Sequence, residues 1–248
     1  MQHTQASSKE FRFSVVVPVL NEQEHINAVI DHLRSQDTGG NCEIIVVDGD
    51  PQGSTIKLIQ DKLVVTAVSD KGRACQMNAG AALTRGEILL FLHADTRLPD
   101  GAFGKIWEVL QNTEYVGGAF DLGIDSDRFG LKLIALRARL RCHRTRIPYG
   151  DQAIFLRKKY FDEIGRYKEI AFMEDVELMG RIKKRGDRIF IFRDRVKTSP
   201  RRWEKEGIIY TTVRNKIVAN LYKLGVSPER LAKYYRNHGD HADEQSGA

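Results

Sequence analysis

The stretch FSVVVPVLNEQEHINAVIDHLR, residues 13–34, joins an apolar run to a segment with helical spacing. Residues 13–20 are apolar almost throughout, which is typical of a strand buried on both faces of a sheet. In the segment that follows, apolar residues recur at the spacing of one helical face, and Asn21 is placed to cap the helix. These apolar residues are Ile26, Val29, Ile30 and Leu33. The stretch therefore predicts one strand followed by one helix.

The same unit repeats along the first half of the chain. Further apolar strands are expected at residues 43–47, 63–68 and 87–92, with helices from Ser54 and over residues 73–84. Apolar strands that alternate with helices favour a mainly parallel sheet with helices on both faces. The sequence therefore predicts an α/β fold of the kind that binds nucleotides.

The second half of the chain has a less regular pattern. Strands are expected at residues 115–124, 153–158, 188–192 and 195–199, and helices at 101–111, 131–144 and 174–185. An apolar stripe follows, made of Ile209, Val213, Ile217, Leu221 and Leu224, and Ser227-Pro228 starts a last helix. Because no linker separates the halves, we expect a single domain over residues 11–236, with flexible tails at residues 1–10 and 237–248.

The net charge and the polar start of the sequence limit the classes of function that can be expected. The net charge of +6 indicates an anionic partner, such as a phosphorylated ligand, a membrane surface or nucleic acid. The sequence has neither zinc-finger spacing nor an aromatic RNA-binding motif, so nucleic acid is not expected. The polar start and the lack of an apolar run near the roughly 20 residues of a membrane span favour a cytoplasmic protein. The basic segment 131–144 allows peripheral contact with the inner membrane face.

Polar and acidic residues follow the predicted strands. They are Asn21-Glu22, Asp48-Gly49-Asp50, Ser69-Asp70-Lys71 and His93-Ala94-Asp95. In open α/β sheets, ligands bind at the carboxyl ends of the strands. We therefore expect a site at this edge of the sheet, although Asp48 and Asp95 taken alone are also consistent with loop acids or helix caps.

Six segments, in order, resemble the motifs of the family 2 glycosyltransferases. They are VVPVLNE (16–22), VVDGDPQGST (46–55), KGRACQMNAGAALTRGEILLFLHADTRLP (71–99), GDQAIFLRKKYFDEIG (150–165), MEDVELMGRIKKRG (173–186) and SPRRW (199–203). The resemblance implies a GT-A nucleotide-diphospho-sugar transferase fold, with a mainly parallel central sheet flanked by helices. It also implies inverting, metal-dependent transfer from a nucleoside diphosphate sugar. The sequences of these motifs are most similar to those of a small soluble bacterial subfamily that is sometimes linked to arsenosugar biosynthesis.

The resemblance implies a divalent cation, Mn²⁺ or Mg²⁺, held by Asp95. The family usually has a second carboxylate two residues earlier, where this chain has His93. Imidazole favours softer metals than carboxylate does, which shifts the expectation toward Mn²⁺. His93 either binds the cation or orients Asp95 or a phosphate.

The resemblance also implies a nucleotide pocket. Its residues in this chain are Pro18, Asn21, Glu22, Asp48, Lys71, Arg73, Asn78, Arg201, Arg202 and Trp203. Asp48 would bind the base, Arg202 the diphosphate, and Trp203 would form an apolar wall. By itself, Arg73 is also consistent with a solvated charge at a helix N-terminus. Ser199 stands where the family's Q-x-x-R-W motif has glutamine, which favours transfer of a single sugar over processive synthesis.

The catalytic and sugar-binding residues are also implied by the resemblance. Asp175, preceded by Glu174, is expected to act as general base, because the acceptor must lose a proton as it attacks. Both acids are also consistent with charges that favour a helix N-terminus. Asp151 and Gln152 are candidate partners of sugar hydroxyls, or else residues that hold their loop.

Two function classes follow. The first is an enzyme that uses a UDP-sugar donor and a small-molecule or lipid acceptor. The second is a non-catalytic nucleotide-sugar sensor on the same fold, for which Asp175 would be dispensable. The patterns specify neither the donor sugar, the acceptor nor an oligomeric state.

Overall fold

The computed structural model describes residues 11–37 and 39–237. Its strands are β1 (Phe13–Val19), β2 (Cys42–Asp48), β3 (Val65–Val68), β4 (Ile88–Phe91), β5 (Thr96–Arg97), β6 (Tyr115–Ile124), β7 (Phe155–Arg157) and β8 (Arg188–Thr198). Within the described residues these strands form one sheet in the order β3-β2-β1-β4-β7-β6-β8-β5. The pairs of the β3-β2-β1-β4 half are parallel, β7 is antiparallel to both of its neighbours, and β6 and β8 are parallel.

Helices cover both faces of this sheet. They are α1 (Ile26–Gln36), α2 (Arg73–Leu83), α3 (Ala102–Val109), α4 (Phe129–Thr145), α5 (Lys158–Glu163), α6 (Glu174–Arg185), α7 (Arg201–Glu206), α8 (Ile208–Lys223) and α9 (Pro228–Asn237). The predicted α/β fold, a mainly parallel sheet flanked by helices, is confirmed. None of the described helices is long and apolar enough to cross a membrane.

The alternation of side chains along β1 divides the core into two layers. Val15 and Val17 pack in the cluster that contains the buried faces of α1 and α3. Val16, between them, packs in the cluster that contains α2, α5 and α6. Burial on both faces is why this strand, like β4, is apolar throughout.

The parallel register brings the ends of three strands to one edge. Val19 at the end of β1 pairs with Asp48 at the end of β2, and Val16 pairs with Phe91 at the end of β4. The segments that follow these strands therefore lie side by side. This edge is where the polar residues were expected.

The prediction that Asn21 caps α1 is wrong. The helix begins at Ile26 with His25 at the N-cap position. Asn21 lies in the left-handed region, at φ 58°, and the turn after it is closed by hydrogen bonds from the His25 and Ile26 N–H groups to the Glu22 carbonyl. Asparagine tolerates this conformation better than most residues, so it marks the turn and not the cap.

The prediction of a helix that begins at Ser54 is also wrong. Only one 3₁₀ turn, Ile56–Leu58, forms there. The Asp48 carboxylate accepts hydrogen bonds from the Thr55 and Ile56 N–H groups, at 2.8 and 3.3 Å. Side-chain acceptors of this kind offer the backbone an alternative to helix, which keeps the segment irregular.

Other elements differ from the prediction in extent. The strand predicted at residues 63–68 is a short edge strand, β3, whose residues alternate between half-buried and exposed. The two strands predicted at 188–192 and 195–199 are one strand, β8, with irregular pairing to β6 between them.

Most of the apolar stripe on α8 faces solvent. Flexible tails were predicted at residues 1–10 and 237–248; Asn237 is the last residue of α9, and the other residues of both tails lie outside the described residues.

Gly80 on α2 provides a test of this packing. A Cβ there would lie 2.4 Å from Val16 Cγ1 and 3.0 Å from Val47 Cγ2, which is closer than a side chain can approach. We expect Gly80→Ala to lower the free energy of unfolding by about 1–3 kcal/mol, the usual result of overpacking. Chemical denaturation with circular dichroism measures this change.

Gly104→Ala on α3 is the matched control. A Cβ at Gly104 meets nothing within 4 Å. Alanine is favoured over glycine inside a helix, so this variant should gain up to about 1 kcal/mol. Equal stability of the two variants would contradict the close packing of α2 on β1 and β2.

Candidate active site

A cleft of about 760 Å³ opens at the carboxyl ends of β1 and β4. Most of the predicted site residues line it: Pro18, Glu22, Lys71, Arg73, His93, Asp95, Asp151, Glu174, Asp175, Arg201, Arg202 and Trp203. The others, Asn21, Asp48, Asn78 and Gln152, are not part of its lining. The structure thus brings together residues that are up to 185 positions apart in the chain, from Pro18 to Trp203.

Asp95 is held immediately before β5, which pairs with β8 through Thr96 and Thr198. Its Oδ1 accepts hydrogen bonds from the Thr96 and Thr198 hydroxyl groups, at 3.2 and 3.5 Å. Its carbonyl accepts a hydrogen bond from the Ser199 N–H at 2.9 Å. The carboxylate therefore has a defined position at the floor of the cleft, two residues after His93.

His93 is a neutral imidazole in this environment. Burial lowers its pKa to about 3, and the neighbouring charge of Arg73 acts in the same direction. A neutral imidazole keeps a lone pair for a metal or a proton. The ring lies against Gly150, where a Cβ would be only 3.0 Å from His93 Nε2.

The donor set fits a divalent cation that shares its coordination with substrate. Asp95 and His93 supply oxygen and nitrogen, and no group of three or more His, Cys, Asp or Glu side chains within residues 11–37 and 39–237 is arranged to hold a metal. Cations bound through one or two protein ligands complete their coordination with phosphate oxygens and water. The pair therefore matches a cation that binds together with a diphosphate.

Asp175 lines the same cleft from the first turn of α6. Its Oδ2 accepts a hydrogen bond from the Gly150 N–H at 2.6 Å, and its Oδ1 accepts one from the Val176 N–H at 2.7 Å. Burial raises the pKa of this carboxyl group, while the two N–H donors and Arg73 oppose the rise. The carboxylate is thus fixed in orientation and kept ionisable.

Two further acids surround Asp175. Burial raises the pKa of Glu174 to about 7, and the charge of Asp175 adds to the rise. Burial raises the pKa of Asp151 to about 6, again with a contribution from Asp175. Within the described residues, the buried Oδ1 of Asp151 has no hydrogen-bond partner. Clustered acids with raised pKa values are typical of functional sites.

Cationic side chains balance these acids. Arg201 donates to both carboxylate oxygens of Glu22, each 3.0 Å away, and lies 3.9 Å from Asp95 Oδ2. Lys71 and Arg73 are exposed at the start of α2. No hydrogen bond or ion pair engages either head group among the described residues. They are therefore available to an anion that enters the cleft.

Asp48 and Asn78 hold loops that border the cleft. Asp48 is fully buried, and its oxygens accept hydrogen bonds from the Asp50, Thr55 and Ile56 N–H groups. Asn78 exchanges hydrogen bonds with the backbone of Tyr167, at 2.9 and 3.1 Å. In the described structure, both side chains hold their neighbouring loops through these backbone hydrogen bonds.

Gln152 holds the turn that presents Gly150. Its side chain donates to the Phe120 carbonyl at 2.8 Å and accepts from the Tyr149 N–H at 3.0 Å. These bonds close the 3₁₀ turn Gly150–Gln152 and leave Asp151 facing the cleft. The hydrogen bonds that Gln152 makes in the structure are those expected of a residue that holds its loop.

Several lining residues were not anticipated from the sequence. Gln76 is buried and donates to the carbonyl groups of Val19 and Val47, so it joins the ends of β1 and β2. Phe172 packs on Tyr235 of α9 with ring centroids 4.9 Å apart, and Arg202 donates to the Tyr235 hydroxyl at 3.4 Å. Gln76 and Phe172 lie in or beside quoted motifs, whereas no pattern marked Tyr235.

A second cavity, of about 840 Å³, lies at the amino end of β4 and contains none of the predicted residues. Several of its cations are already engaged. Arg85 pairs with Glu43, and Arg157 and Lys158 donate to backbone carbonyl groups. Of these two cavities of the described structure, only the first is therefore lined by predicted site residues.

Solved structures identify the class of fold. The mannosyltransferase PcManGT from Pyrobaculum calidifontis, solved with GDP-Man and Mn²⁺, superposes with a TM-score of 0.65 at 18% identity, over 90% of this chain and 69% of that one. S. aureus TarS 1–349, solved with UDP, superposes with a TM-score of 0.59 at 16% identity, over 95% and 74%. At these identities the likeness concerns the fold, which is the predicted GT-A fold.

Sequence comparison gives the family. Residues 14–172, more than half of the chain, match the family described as Glycosyl transferase family 2, and the chain belongs to that family. The PGL/p-HBAD biosynthesis glycosyltransferase of Mycobacterium tuberculosis is 30% identical over 181 residues, which are 62% of this chain and 62% of the relative. The dolichol-phosphate mannosyltransferase of Pyrococcus furiosus is 25% identical over 107 residues, 41% of this chain and 30% of the relative. The chain thus matches less than two thirds of the length of these curated relatives.

The coupling among the acids can be tested by titration. Asp175→Asn removes a negative neighbour, which eases ionisation, so we expect the pKa values of Glu174 and Asp151 both to fall. Carbon-13 NMR of the side-chain carboxyl groups follows both residues against pH. Asp127→Asn, at an exposed position before α4, should leave both values unchanged. Unchanged values in Asp175→Asn would contradict the proximity of the three acids.

Proposed function

We propose that the chain transfers a single sugar, with inversion and with help from a divalent cation, from a UDP-sugar to a hydroxyl group of a small-molecule or lipid acceptor. One observation carries the proposal: the Asp175 carboxylate is fixed by the Gly150 N–H at 2.6 Å. It lines a cleft that also contains Asp95 and the exposed cations Lys71 and Arg73. Family membership supports the same reaction class.

The donor diphosphate is expected at the start of α2. Lys71 and Arg73 are exposed there, and no hydrogen bond or ion pair among the described residues engages either head group. The N-terminus of a helix favours an anion, because its first N–H groups lack helical acceptors and its dipole is positive there. Arg202, in α7, provides a further cation that can pair with phosphate oxygens.

Asp95 and neutral His93 would hold the cation. When bound, a divalent cation neutralises charge that develops on the departing diphosphate. The donor set supports this assignment, because a carboxylate and a neutral imidazole suit Mn²⁺ better than they suit Mg²⁺. The mannosyltransferase neighbour was solved with Mn²⁺.

Asp175 would act as general base. Its carboxylate takes the proton of the acceptor hydroxyl, whose oxygen attacks the anomeric carbon as the bond from that carbon to the diphosphate oxygen breaks. The electron pair of the broken bond leaves with the diphosphate, and the single displacement inverts the anomeric configuration. The Gly150 and Val176 N–H groups stabilise the ionised form of the base.

Asp151 would bind a sugar or acceptor hydroxyl. Its buried Oδ1 lacks a partner among the described residues, and a buried acceptor without a hydrogen bond is unfavourable by about 1–3 kcal/mol. A hydroxyl group in the cleft would supply the missing hydrogen bond. Asp151 therefore contributes to the choice of substrate in this proposal.

Calorimetric titration and donor turnover test the proposal. We expect UDP to bind wild-type protein in the presence of Mn²⁺ and to bind at least tenfold more weakly without it. Asp95→Asn should remove this difference, since the proposed ligand would lose the negative charge of its carboxylate. Incubation with a panel of UDP-sugars and Mn²⁺ should release UDP. The neighbours were solved with UDP and with GDP-Man, so GDP and GDP-sugars belong in the same series.

Asp162→Asn is the matched control, because Asp162 is an exposed acid paired with Arg166 outside the cleft. It should bind UDP as the wild type does. Metal-independent UDP binding would contradict the role of Asp95. UDP binding without release of UDP from any donor would favour the sensor alternative.

A further inference from the structure

The orientation of α8 is unusual for a surface helix. Ile209 is 81% exposed and Val213 is 51% exposed, and they lie on one stripe with the exposed residues Ile217 and Leu224. The opposite side of the helix buries Thr211 and Arg214. An amphipathic helix normally turns its apolar stripe toward the core. This helix therefore presents an apolar stripe that no described element covers.

The neighbouring helix α4 adds apolar and cationic side chains. Phe129 is 80% exposed and Leu140 is 63% exposed. Lys132, Arg137 and Arg144 are exposed on the same helix. Neither α4 nor α8 contains an acidic residue, and Asp127, just before α4, is already paired with Lys132 at 2.9 Å.

The two exposed stripes begin side by side. Gly130 of α4 lies against Ile208 of α8, whose Cγ2 would be 3.6 Å from a Cβ at Gly130. Phe129 and Ile209, the neighbours of this contact along the chain, are the most exposed large apolar residues of their helices. We call the exposed sides of these helices the α4–α8 face. Contiguous apolar surface, unlike scattered single residues, is typical of an interaction site.

We propose that the α4–α8 face binds the surface of an anionic lipid bilayer. Helices with exposed apolar side chains flanked by Lys and Arg lie in the interface, with the apolar groups at the acyl boundary. The cations of α4 would contact anionic headgroups, each basic residue adding to the attraction. The charge of the face selects this partner, since the face carries cations and no unpaired acid from either helix.

The same charge disfavours a second copy of the chain as the occupant. In a two-fold symmetric dimer, the same patch of each subunit meets itself. Arg137 and Arg144 of one copy would then approach cations of the other, without an acid from either helix to pair with them. An anionic bilayer would bury the apolar stripe and would also pair the cations with its headgroups.

The bilayer would lie next to the cleft. The inner side of α8 contributes Asn215, Val218 and Ala219 to the cleft lining, so one helix separates the cleft from the α4–α8 face. A hydroxyl group carried by a membrane lipid could reach Asp175 from that side. This consequence rests on the proposed function, whereas bilayer binding does not.

Co-sedimentation with vesicles tests the proposal. We expect the full chain to sediment with vesicles of phosphatidylcholine mixed with phosphatidylglycerol at low salt. Sedimentation should fall as salt screens the cations, and it should be weak with phosphatidylcholine alone. Absence of sedimentation with the anionic vesicles would overturn the proposal.

Two matched variants locate the binding surface. The double variant Ile209→Asp/Val213→Asp should weaken vesicle binding by at least about tenfold, because two apolar side chains are lost from the interface. Leu63→Asp/Leu58→Asp changes residues that are 79% and 51% exposed outside the α4–α8 face and should bind as the wild type does. Circular dichroism and UDP binding check that both remain folded, and they report on the cleft independently of the membrane.

Three results would contradict the assignment. The first is equal vesicle binding by the two double variants. The second is that Arg137→Ala/Arg144→Ala weakens binding to neutral vesicles as much as it weakens binding to anionic vesicles, because charge would then have no role. The third is a dimer, measured by light scattering after gel filtration, that Ile209→Asp/Val213→Asp converts to monomer, because the face would then be an interface between copies.

Discussion

The hydrogen bond from the Gly150 N–H to Asp175 Oδ2 is the contact on which the site depends. It joins the turn before β7 to the first turn of α6, two elements that the sheet alone does not bring together. Gly150 also lies against His93 at the end of β4, and a Cβ there would be 3.0 Å from the imidazole. A residue without a side chain therefore separates Asp175 of α6 from His93 at the end of β4. Gln152 fixes this turn through its bonds to Phe120 and Tyr149.

Electrostatic balance is the second constraint on the cleft. Burial raises the pKa values of Glu174 and Asp151, and each is raised further by Asp175. Arg73 opposes these shifts and, together with burial, lowers the pKa of His93. A cleft lined by both acids and the exposed cations Lys71 and Arg73 suits a substrate that carries both hydroxyl groups and phosphate.

The sequence predicted the centre of the fold and most of the residues that line the cleft, but it did not predict the hydrogen bonds that single side chains make. Apolar runs identify strands buried on both faces, and parallel strands end at a common edge, so Glu22, His93 and Asp95, which follow β1 and β4, line one cleft. A residue type does not show whether a side chain faces the cleft or the backbone of its own loop. Asp48, Asn78 and Gln152 make backbone hydrogen bonds because of loop conformations that local patterns do not encode. Tyr235 enters the cleft from α9 through tertiary packing alone.

The anomeric configuration of the first product tests the role of Asp175 most directly. Donor hydrolysis needs no acceptor, because water can take the place of its hydroxyl group. Proton NMR can follow the sugar released from an α-linked UDP-sugar before the free sugar equilibrates. We expect the β anomer to be released first, and we expect Asp175→Asn to stop its release while still binding UDP. Initial release of the α anomer, or undiminished release by Asp175→Asn, would contradict single displacement with Asp175 as base.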